Sequence, residues 1–414
     1  MAGNLGDLIE IEAARKLVLE RATPLAGAET VPLAGALGRV LAIDVPSPDP
    51  IPGFDNSAMD GYAVRAADTA GATDERPIEL ELVGESRAGH PAAEAVGDGQ
   101  AIEISTGAML PAGADAVVMV ERTSRPPSGV AIHAAVEAGA NIRRAGEDQR
   151  AGALALAAGS PIGPAELGVL ASVGAAEVEC RPRPRVSVLT TGDELAEPGT
   201  PLTPGGVHNS NAFALAGLIE RAGGLAAEPE IVRDDQEATR AALGRALAAD
   251  VAIVSGGVSV GPHDHVRPAL EALGAEQVFW GVALRPGKPT WFGVAERPSA
   301  RPALVFGLPG NPVSAIVTFL LFVRPALAAM LGAPAPRPRT TAILGADYPK
   351  RPGRAHLIRC KLELRDDGWH ATPTGDQGSH VLTSMLGAEA LAIAPTEAGD
   401  LSAGERLEIE LLPQ

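Results

Sequence analysis

Leu8, Ile11, Ala14 and Leu17 recur at the spacing of one helix face in the opening MAGNLGDLIEIEAARKL, which predicts an amphipathic helix near the N-terminus. From Pro77 to Val136 the pattern changes to short segments, PIELELVG, AIEIST, AVVMVE and AIHAAV, separated by Gly and Pro, and predicts a small inserted β domain. Between Val186 and Leu331 strand and helix patterns alternate. VSVLTTG, PEIVRDD and VAIVSGGVS read as strands, SNAFALAGLIERAG, QEATRAALGRALA and HVRPALEALG as helices, and a closing helix starts from Asn311. Such alternation predicts a doubly wound α/β domain. The proline-rich APAPRPRT reads as a linker, and TAILGADY, AHLIRCKLEL and ERLEIELL read as strands of a final β-rich domain. The longest apolar run, AIVTFLLFV, is stopped on this reading by Arg324 and Pro325, short of the ~20 residues a bilayer requires, and predicts a buried helix.

The chain's 414 residues exceed one ordinary core, so three or four domains are expected. A hydrophobic fraction of 46% against 21% charged residues excludes wholesale disorder, and 48 Gly with 36 Pro imply many turns. The net charge of −17, without a Lys/Arg run, argues against nucleic-acid binding and against a membrane surface held through a basic patch. An anionic substrate would need metal ions or locally placed cations. The two cysteines, Cys180 and Cys360, lie far apart and suggest neither a disulfide framework nor a thiolate metal cage. The opening lacks the basic end and apolar stretch of a signal peptide, and a cytoplasmic location is expected.

Doubly wound sheets place ligands at the carboxyl ends of their strands, and here the predicted strands end in TTGDE, RDD, SGGVSVG and GLPGNP. In SGGVSVG, which contains Gly256, Gly257, Ser259 and Gly261, the glycines let backbone N–H groups approach a phosphate or similar oxyanion. Asp264, between His263 and His265, either holds a divalent cation or caps the following helix. Asp193 and Glu194 of TTGDEL have the oxygen ligands that Mg²⁺ prefers, and Asp234 and Asp235 end the next strand. Three acidic strand ends converging on a cation, with Pro309, Gly310 and Asn311 of GLPGNP and the charges of Arg285 and Lys288 of RPGKP for anions, favour metal-assisted phosphoryl chemistry. His263 and His265 lack the second Cys/His pair of a tetrahedral site. The stretch PGFDNSAMDGYAV is read either as a solvated turn or as part of a site.

FDNSAMDGYAV, STGAMLPAGADAVVM, RRAGEDQ, TTGDEL, SGGVSVG, PGKP, GLPGNPVSA and TGDQGSHVLTSM occur in one order. With these motifs the chain resembles the molybdopterin molybdenumtransferases over nearly its whole length, a family that includes the E domain of gephyrin. The resemblance implies insertion of molybdate into adenylylated molybdopterin with release of AMP and formation of molybdenum cofactor, Mg²⁺ being the metal. It implies a homodimer of four-domain subunits: a molybdopterin-binding α/β domain from 1–27 and 180–331, a linking domain from 28–52 and 150–179, an inserted β domain at 53–149 and a C-terminal β-rich domain at 332–414. The active cleft would lie between the α/β domain of one subunit and the β domain of the other. Transient contact with a molybdopterin adenylyltransferase and with molybdoenzyme apoproteins or their chaperones is expected.

Carried over residue by residue, the resemblance puts Asp60 of FDNSAMDGY, Thr106 of STGA, Asp148 of GED, Glu194, Asp234 and Asp264 at the cleft, with Glu194, Asp234 and Asp264 toward Mg²⁺. It associates Arg285, Lys288, Ser314, Arg354 and Ser379 with molybdate. PGRAHLIRC departs from the family's GR-x-x-F-x-R-G stretch by lacking its aromatic residue and final glycine. Glu389 replaces a usual asparagine, and Arg285 a common lysine. Competing readings are a Mg²⁺-dependent nucleotide pyrophosphatase, the preceding adenylyltransferase, and a non-enzymatic scaffold.

Overall fold

The computed structural model describes residues 8–258, 264–298, 300–334 and 339–412. A seven-stranded sheet runs in the order Leu225–Ala226, Arg185–Thr191, Val251–Ser255, Ala300–Leu308, Trp291–Arg297 and Ala275–Trp280, with Glu230–Val232 also paired to Arg185–Thr191. Pairings from Leu225–Ala226 through Ala300–Leu308 are parallel, and Trp291–Arg297 is antiparallel to both its neighbours. Alternate residues of the inner strands enter different cores. Val251, Ile253, Leu304 and Phe306 join one apolar cluster, and Ala252, Val254 and Val305 join another. Both faces are covered by helices, so these strands read as unbroken apolar runs ended by polar residues.

The N-terminal helix spans Ile11–Leu19 and buries Ile11, Ala14 and Val18 in the first cluster. Leu8 precedes the helix, and Ile9 bridges to Val282. The closing helix is buried, as expected, and Arg324 and Pro325 end the apolar run but not the helix, which runs from Pro312 to Met330 through a π-helical turn at Phe319–Val323. Proline has no N–H to give the carbonyl four residues back, here that of Leu321. Arg15 Nε donates to that carbonyl at 3.2 Å, so a side chain from the first helix replaces the missing donor. This 19-residue helix is long and apolar enough to cross a membrane by composition alone, but 78% of its apolar window is buried inside the protein, where it forms the spine of the first core.

A six-stranded sheet of Ala116–Met119, Gly61–Val64, Gln100–Ile104, Ile78–Ser86, Val130–Ile132 and Thr123–Ser124 forms the β domain. Its strand GYAV lies ahead of the Pro77 start of the β pattern and shows no alternation because all four residues are buried. Between this domain and the α/β sheet, Val31, Leu41, Ile162, Leu170 and Val178 share a small core, and Glu29–Pro32 pairs antiparallel with Glu177–Cys180. Both cysteines are buried thiols.

In the C-terminal domain Ala355–Arg365 pairs with both Gly368–Pro373 and Ala390–Ala394, which closes a β-barrel through Thr340–Leu344 and Arg406–Leu411. The two-residue strand Leu284–Arg285 of the α/β region joins its edge, opposite Ala355 and His356. Glu410 clamps the domains together: its buried carboxylate accepts from Arg15 at 2.8 Å and from Arg324 at 2.8 Å.

Candidate functional site

Thr190 and Thr191 end one parallel strand, Ser255–Gly257 the next and Pro309–Gly310 the third, and all three ends open onto one pocket of about 630 Å³. From Arg185–Thr191 the chain first builds outward through Leu225–Ala226 and then returns to Val251–Ser255 on the other side. The pocket therefore sits at the topological switch point, where parallel α/β sheets open a crevice.

Two asparagines brace it. Asn209 Nδ2 donates to Thr190 Oγ1 at 2.8 Å, and its side-chain oxygen accepts from Ala212 N–H at 3.2 Å, which caps the helix Ser210–Arg221. Asn211 Nδ2 donates to Ser255 Oγ at 2.9 Å and to the Gly310 carbonyl at 2.7 Å, and Ser255 Oγ donates to the Pro309 carbonyl at 3.2 Å. The strand ends are thus fixed by hydrogen bonds made across the sheet.

At Gly256, with φ +99°, a Cβ would stand 2.7 Å from Thr191 Oγ1 and 2.8 Å from its carbonyl oxygen, so only glycine fits. Thr191 Oγ1 is buried below this turn and has no hydrogen-bond partner among the described residues. The Glu194 carboxylate folds back over Gly192, where a Cβ would lie 2.5 Å from it. Asp264 lines the same pocket. The N-cap position of the next helix belongs to His265, whose side chain makes no cap bond.

The structure brings Glu194, Asp264, Gly256, Gly257, Pro309, Gly310 and Asn311 together. Ser259 and Gly261 lie outside the described residues. Asp234, the third expected carboxylate, does not line the pocket, and among the described residues no three His, Cys, Asp or Glu side chains gather as a metal site. Asp234 N–H bonds to Asp193 Oδ1 at 3.2 Å, and neighbouring Asp235 caps the helix Gln236–Ala246 through Ala238 N–H at 2.7 Å.

Beside the pocket stands a cationic junction between the α/β domain and the barrel. Arg285 lies opposite His356, and burial, followed by the charges of Arg285, Lys350 and Arg354, holds the His356 pKa down to about 4. Its Nδ1 is 3.2 Å from the Tyr348 hydroxyl. Arg285, Lys288 and Arg354 form no ion pair among the described residues, despite the chain's acidity. Ser314 is buried in the first helical turn and absent from the pocket lining. Ser379 meets Asn311 across the domain boundary, Asn311 Nδ2 donating to its Oγ at 2.9 Å.

Asp60, Thr106 and Asp148 lie in the β domain and none lines the pocket. Asp60 Oδ1 accepts from Thr106 N–H at 2.7 Å and from its hydroxyl at 3.0 Å, and these two bonds lower its pKa. The turn carrying Asp148 is tied to the segment ahead of them: Arg144 donates to Asp55 at 2.6 Å and Asp148 N–H to the Ile51 carbonyl at 3.0 Å.

Sequence reasoning missed Thr191, His208, Asn209, Asn211 and Ser255 as pocket residues. The TTG strand end and the Asn-Ser-Asn ahead of an apolar helix pattern were the available signals. It also missed Arg359, the second arginine of PGRAHLIRC. This buried side chain donates to Ser384 Oγ at 3.1 Å and to the carbonyls of Asp376 and Gly378 at 3.2 Å each, which fixes the loop before Ser379.

Residues 9–174 match the MoeA N-terminal region (domain I and II), residues 187–329 a probable molybdopterin binding domain, and residues 341–412 the MoeA C-terminal region (domain IV). The molybdopterin molybdenumtransferase of Haemophilus influenzae is 36% identical over 408 residues, covering 97% of this chain and 98% of that protein. The chain belongs to the molybdopterin molybdenumtransferase family. Molybdopterin molybdenumtransferase 2 of Mycobacterium tuberculosis is 40% identical over 394 residues, covering 92% of this chain and 94% of its own. A crystal structure of the molybdopterin biosynthesis MoeA protein from Pyrococcus horikoshii superposes with a TM-score of 0.83 at 33% identity, covering 98% of this chain and all of that one. Membership of this transferase family makes the chain an enzyme of molybdenum-cofactor biosynthesis, with the family's multidomain architecture of N-terminal region, α/β domain and C-terminal β domain.

Proposed function

We propose that the chain inserts molybdate into adenylylated molybdopterin with Mg²⁺-dependent release of AMP. The observation that carries this reading is the switch-point pocket, in which a glycine turn, two carboxylates and the buried Thr191 hydroxyl stand at adjacent strand ends. A pyrophosphate bridge suits such a place, because backbone N–H groups of glycine turns meet phosphate oxygens closely. The donors are hard oxygens, and Mg²⁺ is commonly held by one or two carboxylates together with substrate phosphates. Glu194 and Asp264 would hold the ion, which when bound supplies neutralisation of phosphate charge. The chain's own residues orient the substrate: Asn209 and Asn211 brace the turns, and Arg285, Lys288 and Arg354, which have no ion pair among the described residues, suit molybdate as substrate.

In the reaction an oxygen of water or of molybdate forms a bond to the adenylyl phosphorus as the bridging bond to the pterin phosphate breaks; water gives AMP directly, whereas molybdate gives an adenylyl–molybdate anhydride from which AMP leaves with that oxygen once its bond to molybdenum breaks. The two dithiol sulfurs displace oxygen at molybdenum, and their protons leave with it as water. A homodimer belongs to the same proposal, and what supports it is that Asp60, Thr106 and Asp148 do not line the pocket of their own chain and that the β domain exposes Phe54, Met59 and Met109. A cytoplasmic setting, a substrate-delivering adenylyltransferase and an accepting apoprotein or chaperone belong to the same proposal. Its test is Glu194→Ala and Asp264→Ala, each of which is expected to abolish insertion while the fold persists. Full turnover of both variants at low Mg²⁺ would remove their role.

A further inference from the structure

We infer that Asn311 is a positioning residue that leaves the Ser379 hydroxyl hydrogen for an oxyanion substrate, an inference that rests on the transferase reading above. Two other helices of the α/β domain are capped from their own N-cap side chains: Asn209 accepts from Ala212 N–H and Asp235 from Ala238 N–H. Asn311 occupies the same position ahead of Pro312, yet its side chain accepts no such bond. Its Nδ2 is committed instead to Ser379 Oγ at 2.9 Å, and the Val313 N–H, which a cap would take, goes to the Ser379 carbonyl at 3.2 Å. Ser379 belongs to the barrel's loop, so this helix is capped from another domain.

The direction of the side-chain bond carries the chemistry. An amide nitrogen only donates, so Ser379 Oγ accepts, and its own hydrogen has to go elsewhere. Arg359 fixes the same loop from the other side through the carbonyls of Asp376 and Gly378. A hydroxyl whose oxygen already accepts from Asn311, and whose hydrogen has no acceptor among the described residues, fits one donor to a tetrahedral oxyanion. Asn311 also lines the switch-point pocket, so one residue spans the adenylylated substrate and the oxyanion.

The test is AMP release measured against molybdate and against adenylylated molybdopterin for the wild type, Asn311→Ala, Ser379→Ala and the double variant. Each single change is expected to raise the KM for molybdate about tenfold, and the double variant no further than either alone, because both remove one charge-assisted hydrogen bond. Multiplying effects on that KM, or a loss confined to the KM for adenylylated molybdopterin, would overturn the inference. Ser379→Ala approaches the contact from the loop and keeps the test decisive if Asn311→Ala unfolds the helix start. A wild type whose AMP release ignores molybdate would remove the transferase reading, and this inference with it. A molybdate-dependent wild type with multiplying effects would remove the inference alone.

Discussion

Asp60 and Thr106 form a closed unit in which one carboxylate oxygen takes both the backbone N–H and the hydroxyl of the threonine. The backbone bond, and then the hydroxyl bond, hold the Asp60 carboxyl below its usual 3.8. Replacing Thr106 by Val removes the second bond and keeps the first. The Asp60 pKa is then expected to rise toward 3.8 while the β domain stays folded, read by carboxyl-carbon NMR titration. An unmoved pKa would show that the hydroxyl contributes nothing to the aspartate's charge state.

His356 makes the fold acid-sensitive in a defined window. Its folded pKa of about 4 lies below the ordinary 6.5, so at neutral pH both states are uncharged and the group is neutral to stability. As pH falls below 6.5 the unfolded chain takes up a proton that the folded chain refuses. The resulting loss grows until about pH 4 and amounts to about 3 kcal/mol. Asp55 and Asp60 have depressed values and act lower, their stabilisation being lost as pH falls through their folded values. Unfolding midpoints in urea are expected to drop between pH 6.5 and 4.5 for the wild type and to flatten in His356→Gln. Equal slopes in the two proteins would contradict the assignment.

Glu410 is the charge on which the inter-domain clamp depends. It is 5% exposed and receives Arg15, Arg324 and, at 3.6 Å, Arg339 Nε. Without Glu410 the half-buried Arg324 keeps no carboxylate partner among the described residues, while Arg15 keeps Glu12 and Arg339 keeps Glu12 and Glu408, so Glu410→Ala is expected to cost about 3–5 kcal/mol. Thermal unfolding is expected to show the barrel separating earlier from the α/β domain. A change below about 1 kcal/mol, the range of exposed pairs, would contradict the clamp.

What was legible in the chain follows from which contacts are local. Strand ends such as Thr190–Glu194, Ser255–Gly257 and Pro309–Asn311 are readable because strands buried on both faces are apolar throughout and break abruptly into polar turns. Roles set by pairing across the sheet were not readable. Asn211 matters because strand register puts Ser255 and Gly310 within its reach, and nothing around residue 211 encodes that. Asp234 shares the look of a ligand with Glu194, but its neighbour is spent on a helix cap. That the helix continues past Pro325 was not readable either, because Arg15 reaches the freed carbonyl from 306 residues away. The Ser379 cap on the Pro312 helix is illegible for the same reason, as donor and acceptor lie in different domains.

The most direct measurement is AMP release and active-cofactor formation by the purified protein from adenylylated molybdopterin, with and without molybdate and Mg²⁺. Both products are expected together and only when both ions are present. AMP release indifferent to molybdate would mark a pyrophosphatase and contradict the account, and neither product under any condition would leave a protein that binds without transferring.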